Sequence, residues 1–174
     1  MTPVLLIRHP LTPSMPMTLP VWFGRTRGVL RVTFRIPGDT SEILLPEKAE
    51  MEFRDELWRH TCFEVFIMPR EGPHYAELNL SPSTEWAAYR FDDYRMGMRT
   101  APVLPAKIVS TRSKNRFELS AVIELPEWAE LDWRINFTAV IEEKGGRKSY
   151  WALAHPPGPP DFHDRSCFIA RLPE

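Results

Sequence analysis

Two glutamates and an asparagine occupy alternating positions in adjacent strand-like runs of this 174-residue chain. Glu64 lies in TCFEVFIM, and Glu77 and Asn79 lie in HYAELNL. Carboxylates accept hydrogen bonds and an amide both donates and accepts, so the three could fix the hydroxyls of a polyol. Trp86 and Arg90 follow in EWAAYRFD. An indole is a flat apolar plate on which the C–H face of a sugar rests at low conformational cost, and a guanidinium adds fixed donors. Glu64, Glu77, Asn79, Trp86 and Arg90 are therefore read as one ligand-binding face. The competing reading is a solvated face of cross-strand ion pairs, each contributing roughly a few tenths of a kcal/mol. Glu64 and Glu77 could also form the acid/base pair of a glycosidase, the alternative to a non-catalytic role.

Register decides whether these groups share a face. Phe63, Val65 and Ile67 are apolar and alternate, as do Ala76, Leu78 and Leu80. A one-residue slip would put one set into water, so the two sets face one core, with Phe66 opposite Glu77 and Glu64 opposite Asn79. If Ser81–Thr84 is a four-residue turn, Asn79 lies opposite Trp86, Glu77 opposite Ala88 and Tyr75 opposite Arg90, while Ala87, Tyr89 and Phe91 join the core. A turn of another length makes Trp86 a core residue.

The rest of the chain reads as short strands. Val4 to Ile7 precedes an irregular, proline-rich arm (Pro10, Pro13, Pro16, Pro20). Leu30, Val32, Phe34 and Ile36 alternate with polar residues, the period of a half-buried strand. Pro37 to Thr40 is a turn signal, and Ile43 to Leu45 is expected to pair back. Residues 47–56 are a charged surface loop or helical turn. Lys107–Arg112 and Arg116–Leu125 read as a hairpin, and Pro126–Leu131 as one helical turn. Arg134–Glu143 and Lys148–Ala154 flank a Gly145-Gly146 turn, and Cys167–Leu172 ends the series. No repeat or linker interrupts the chain. About ten such strands predict an all-β, single-domain fold over 1–174, an antiparallel two-sheet β-sandwich with minor helical turns.

Composition agrees. Eighteen prolines are about twice the usual ~5% share and break long helices. Lys and Arg total 22 against 23 acidic residues, without a basic block, so the electrostatic footprint of a nucleic-acid binder is missing. No apolar run approaches the ~18 residues of a membrane span. The N-terminal segment lacks the pattern of an export signal. Cys62 and Cys167 could pair, but without such a signal two reduced thiols and a cytoplasmic location are expected.

Three further sets could carry chemistry. His155, Asp161 and His163, with Asp164, fall in the stretch AHPPGPPDFHD and could ligate a divalent metal. The spacing matches no compact zinc motif, and Asp and His also bond backbone groups in turns. His60, His155, His163 and the methionines Met68, Met96 and Met98 could supply axial haem ligands, although no C-x-x-C-H attachment motif is present. Cys62 has no electropositive helix terminus to activate it and reads as an inert thiol. The sequence requires no cofactor, and haem or a divalent metal is the alternative. Its expected partner is a small molecule or sugar, with a protein partner as a further reading.

The runs LWRHTCFEVF, YAELNLSPSTEWAAYRFDDYRMGM and AVIEEKGGRKSYWALAHPPGPPDFHD resemble a bacterial group of DOMON-like domains, itself similar to the family 9 carbohydrate-binding modules. The resemblance covers nearly the whole chain and implies a β-sandwich of two antiparallel sheets. It implies a sugar or haem as ligand. Family 9 modules hold sugars between tryptophans, for which Trp58, Trp86 and Trp151 are the available rings. DOMON-like domains are mostly exported or attached to redox enzymes, whereas this sequence reads as a stand-alone domain without an export signal.

Overall fold

The computed structural model describes residues 2–103 and 105–173. Among them are twelve strands and three single-turn 3-10 segments. The strands are β1 (Val4–Arg8), β2 (Leu19–Thr26), β3 (Val29–Pro37), β4 (Cys62–Pro69), β5 (Tyr75–Leu80), β6 (Trp86–Phe91), β7 (Arg99–Thr100), β8 (Pro105–Ser113), β9 (Arg116–Glu124), β10 (Trp133–Glu142), β11 (Lys148–Ala152) and β12 (Ala170–Leu172). All named pairings are antiparallel, in the order β7-β6-β5-β4-β10-β11-β1-β2-β3-β9-β8, and β12 also pairs with β10.

The all-β, antiparallel expectation holds, but the strands form one continuous curled sheet rather than a clear two-sheet sandwich. The path is continuous because β1 serves both halves. Its Val4–Leu6 segment pairs with β2, and Ile7 and Arg8 pair with β11. The sheet curls so that the half containing β3 and β9 packs on the half containing β4 and β10. Phe34 lies 5.1 Å from Phe63, and Phe63 stacks on Phe117 at 5.5 Å. A strand shared at the bend satisfies its own backbone groups and removes two free edges.

The proline-rich arm hides a strand. β2 tolerates Pro20 because the residue sits near the strand's start, and Gly24 pairs with Arg31 at its far end. The β2–β3 turn places Arg27 at φ 52. Gly28 follows because a Cβ there would lie 2.8 Å from the Leu125 carbonyl oxygen. Ile43 to Leu45 does not pair back on β3. Ile43 bridges Glu143 instead, and β3 takes β2 and β9 as neighbours.

Arg25 ties the lower edge together. Its guanidinium donates to the carbonyls of Leu131 (2.6 Å), Ala129 (2.6 Å), Trp128 (3.2 Å), Leu172 (3.1 Å) and Pro173 (3.1 Å). It also lies 3.8 Å over the Trp133 ring. Charge-assisted bonds and a cation–π contact act here from one planar fork. Arg25→Ala is expected to lower stability by about 2–3 kcal/mol, and Arg25→Lys to recover only part of it. A urea-denaturation midpoint unchanged in Arg25→Ala would show that these bonds contribute nothing net.

Candidate functional site

The sheet buries both faces. Between the halves lies the main core, including Phe34, Phe63, Leu78, Phe117 and Phe137. A second apolar cluster, with Phe66, Tyr75, Tyr89, Phe91, Phe162 and Phe168, lies on the opposite face of β4, β5, β6 and β10. Alternation puts Ile135, Phe137, Ala139 and Ile141 of β10 into the first core, leaving Asn136, Thr138 and Val140 for the second face. Asn136 Nδ2 donates to the Phe162 carbonyl at 3.1 Å, which pins the long proline-rich loop after β11 across this face.

The β4–β5 register is the one the alternation dictates: Phe66 pairs with Glu77 and Glu64 with Asn79. β6 is slipped by one residue from the expectation. Leu80 pairs with Trp86, Leu78 with Ala88, Glu77 with Tyr89 and Tyr75 with Phe91. The turn runs over 81–85, five residues rather than four, closed by Ser81 N–H donating to Glu85 O at 3.0 Å, with Thr84 at φ 83. The extra residue reverses the two faces of β6.

Trp86 therefore packs in the main core and meets Phe53 edge-on. Arg90 lies on that same side, where it donates to Glu127 and lies 5.1 Å from the Trp128 ring. Neither shares a face with Glu77. Ala87, Tyr89 and Phe91, expected in the core between the halves, join the glutamates instead.

Loops around 53–60, 92–98 and 153–169 cover the face and leave a cavity of about 390 Å³. Glu64 and Glu77 line it, with Phe66 and Phe91 beside them and Trp58, Tyr89, Tyr150, Arg95, Met98 and His163 among its walls and rim. The glutamates are not on an open surface as expected. Glu64 is 2% exposed and Glu77 6%. Asn79 is fully buried and supports the site from behind, its Nδ2 donating to Glu77 Oε1 at 2.9 Å. Thr138 donates its hydroxyl to Glu64 Oε2 at 2.6 Å. Each carboxyl thus keeps one oxygen, Glu64 Oε1 and Glu77 Oε2, that accepts no hydrogen bond from a described residue.

Burial raises both carboxyls above the usual glutamate range. For Glu64 the nearby Glu77 charge adds to burial, and the Thr138 bond opposes it. For Glu77 the Asn79 bond and the Arg95 charge oppose burial. Two carboxyls so buried and so close cannot both ionise freely.

His163 forms one wall. Tyr75 Oη accepts from the Arg95 backbone N–H at 3.2 Å and shares a second hydrogen bond with His163 Nδ1 at 2.7 Å. The other ring nitrogen of His163, Nε2, faces Glu77 Oε2 at 3.7 Å. Burial first, then the Arg95 charge, lowers the His163 pKa to about 4. At neutral pH this contact is a neutral imidazole beside a carboxyl, not an ion pair.

Asp161 is spent on the same wall. It accepts from Arg95 Nη2 at 2.9 Å, from Tyr94 Oη at 2.7 Å and from the His163 backbone N–H at 3.0 Å. His155 bonds the Ile7 carbonyl through Nε2 at 2.8 Å. The three metal candidates are thus occupied by separate partners, and no group of three such side chains converges among the described residues. Of the other haem candidates, His60 bonds Glu142 at 2.8 Å, Met68 is buried, and Met96 and Met98 are exposed. Cys62 and Cys167 are buried free thiols, and burial pushes the Cys62 thiol up. Among the tryptophans, Trp58 alone reaches the cavity, while Trp86 and Trp151 belong to the core.

Tyr89, Phe91 and Tyr150 were hidden in the sequence by the β6 register and by loop closure. Only the turn length after Leu80 carried a signal for the first two.

Fold and site together define an all-β domain with one face roofed by loops over an acid-floored cavity. No family model and no curated protein matches the sequence. The fold is similar to that of a candidate carbohydrate-binding protein from Bacteroides uniformis, at a TM-score of 0.64 and 12% identity, covering 95% of this chain and 82% of that one. A family 9 carbohydrate-binding module from Caldicellulosiruptor kristjanssonii, solved with glucose, superposes at a TM-score of 0.48 with 10% identity, covering 84% of this chain and 71% of that one. The first likeness is one of fold.

Proposed function

We propose that this chain is a non-catalytic binding module for a carbohydrate or sugar-like metabolite, which it holds in the cavity over Glu64 and Glu77. The observation that carries this reading is the pair of buried carboxyls, each with an oxygen that takes no hydrogen bond from a described residue, in a cavity also lined by the rings of Trp58, Tyr89 and Tyr150. A sugar needs that combination: fixed acceptors for its hydroxyls and apolar plates for its C–H faces. The fold shared with a candidate carbohydrate-binding protein supports it.

A glycosidase reading is less well supported. Acid/base pairs work when their surroundings push two pKa values apart, one carboxyl kept protonated and one ionised. Here burial drives both the same way.

Titration calorimetry with a panel of mono- and disaccharides tests the proposal. Tyr89→Ala and Glu77→Ala are expected to weaken binding at least about tenfold. Tyr150→Phe, which keeps the ring of a half-buried wall residue, is expected to bind within about threefold of wild type. No heat from any sugar at millimolar concentration, with the protein folded, would sink the assignment.

A further inference from the structure

Among the described residues the cavity floor holds two acids and no cation, the nearest lining guanidinium being that of Arg95 in the wall. Glu64 and Glu77 are nine-tenths or more buried, and Glu64 Oε1 and Glu77 Oε2 take no hydrogen bond from any described residue. Proteins seldom bury carboxylates without pairing them, because an uncompensated buried charge is costly. Each basic group near this floor is committed or uncharged. Arg95 holds Asp161 at 2.9 Å, and His163 lies 3.7 Å from Glu77 Oε2 as a neutral ring, with Tyr75 on its other nitrogen. The groups that touch the carboxyls, Thr138 and Asn79, are neutral donors.

We propose that the missing charge comes from the ligand: the bound sugar presents a protonated amino group to Glu64 Oε1 and Glu77 Oε2, which makes this cavity selective for amino sugars over neutral ones. The inference rests on the carbohydrate reading above and narrows it. An ammonium group carries three donors and one positive charge, so it satisfies both free oxygens. Its charge also favours the ionised form of both carboxyls, which burial opposes, and inside the cavity that attraction is stronger than in water. A hydroxyl at the same place carries one donor and no charge, so it would satisfy one oxygen and favour neither ionisation. Apolar walls from Phe66, Phe91 and Tyr89 suit the carbon ring that carries the amine.

Titration calorimetry on the full chain at about pH 7 would compare glucose, galactose and mannose with glucosamine, galactosamine and mannosamine and with their N-acetyl derivatives. The N-acetyl series keeps the nitrogen and removes the charge. The expected result is that one amino sugar binds at least about tenfold tighter than both its neutral parent and its N-acetyl form. Glu64→Gln and Glu77→Gln, which keep the shape and can still accept from Thr138 and Asn79, are each expected to abolish that preference. Equal affinity across a matched set would overturn this inference and leave the carbohydrate reading standing. Preference for the N-acetyl form would do the same. Binding of none of the nine sugars by folded protein would overturn both.

Discussion

Between about pH 6.5 and pH 8 the wild-type protein is expected to lose roughly 2 kcal/mol of stability, and Glu64→Gln to lose much less. In the unfolded chain Glu64 and Glu77 ionise near 4.5, whereas burial holds their protons to higher pH in the folded state. Wherever the folded form binds more protons than the unfolded form, stability falls as pH rises. The stability these two groups contribute is therefore fully present below pH 4.5 and is lost as pH climbs through their folded titrations.

His163 acts with the opposite sign. Its pKa is lowered from 6.5 to about 4, so the unfolded form binds the extra proton between those values and stability rises with pH there. His155 is lowered as well and acts in the same direction below 6.5. Just above 6.5 the unfolded histidines still hold part of their protons and oppose the glutamates weakly, an effect gone by about pH 7.5, and the raised Cys62 and Cys167 thiols enter only near their ordinary 9.0. That leaves one window in which the two glutamates dominate. Glutamine keeps the shape and can still accept from Thr138, so Glu64→Gln removes one titration and relieves Glu77 of a like charge. Urea midpoints at half-unit pH steps would read this. A wild-type midpoint flat from pH 6.5 to 8, or a slope untouched by the substitution, would mean that the cavity is wet enough to hold both charges.

How much of this was legible in the sequence differs strand by strand. β4 and β5 alternate strictly, so Phe63, Val65 and Ile67 could face only one way, and their pairing with Ala76, Leu78 and Leu80 followed. β6 has apolar residues on both faces, Trp86 and Ala88 on one and Ala87, Tyr89 and Phe91 on the other, and each face is buried. Alternation then carries no information, and register passes to the turn. A turn of five residues, with Thr84 in the left-handed region, has no strong sequence signature. That one residue moved Trp86 and Arg90 off the site and brought Tyr89 and Phe91 onto it. β2 was obscured because Pro20 and Gly24 both argue against strand locally, while pairing with β1 and β3 overrides them. The roof could not be seen at all: Arg95, Phe162 and His163 reach the glutamates only through the folding of loops remote in sequence.

Truncating Phe63 to alanine is expected to destabilise the protein by about 3–5 kcal/mol, the largest cost of any substitution considered. Phe63 belongs to β4, in the half that carries the cavity, yet its ring meets Phe34 of β3 and Phe117 of β9 across the core. Phe137 of β10 makes the other bridge, 6.1 Å from Phe34 and 4.7 Å from Phe23. Among the strands of the described residues, β1 alone pairs with strands of both halves, by five residues split between two partners. The curl is thus held chiefly by rings packed between the halves, and deleting one opens a cavity that rigid strands on both sides cannot close. Because Glu64 follows Phe63 on β4 and points to the opposite face, the same truncation should also loosen the cavity floor. Phe63→Leu, which keeps most of the volume, is expected to cost only about 1–1.5 kcal/mol and to leave sugar binding near wild type. A cost below about 1 kcal/mol for Phe63→Ala, read from urea unfolding, would show that the halves are held elsewhere and that the fully buried ring sits in a site able to collapse.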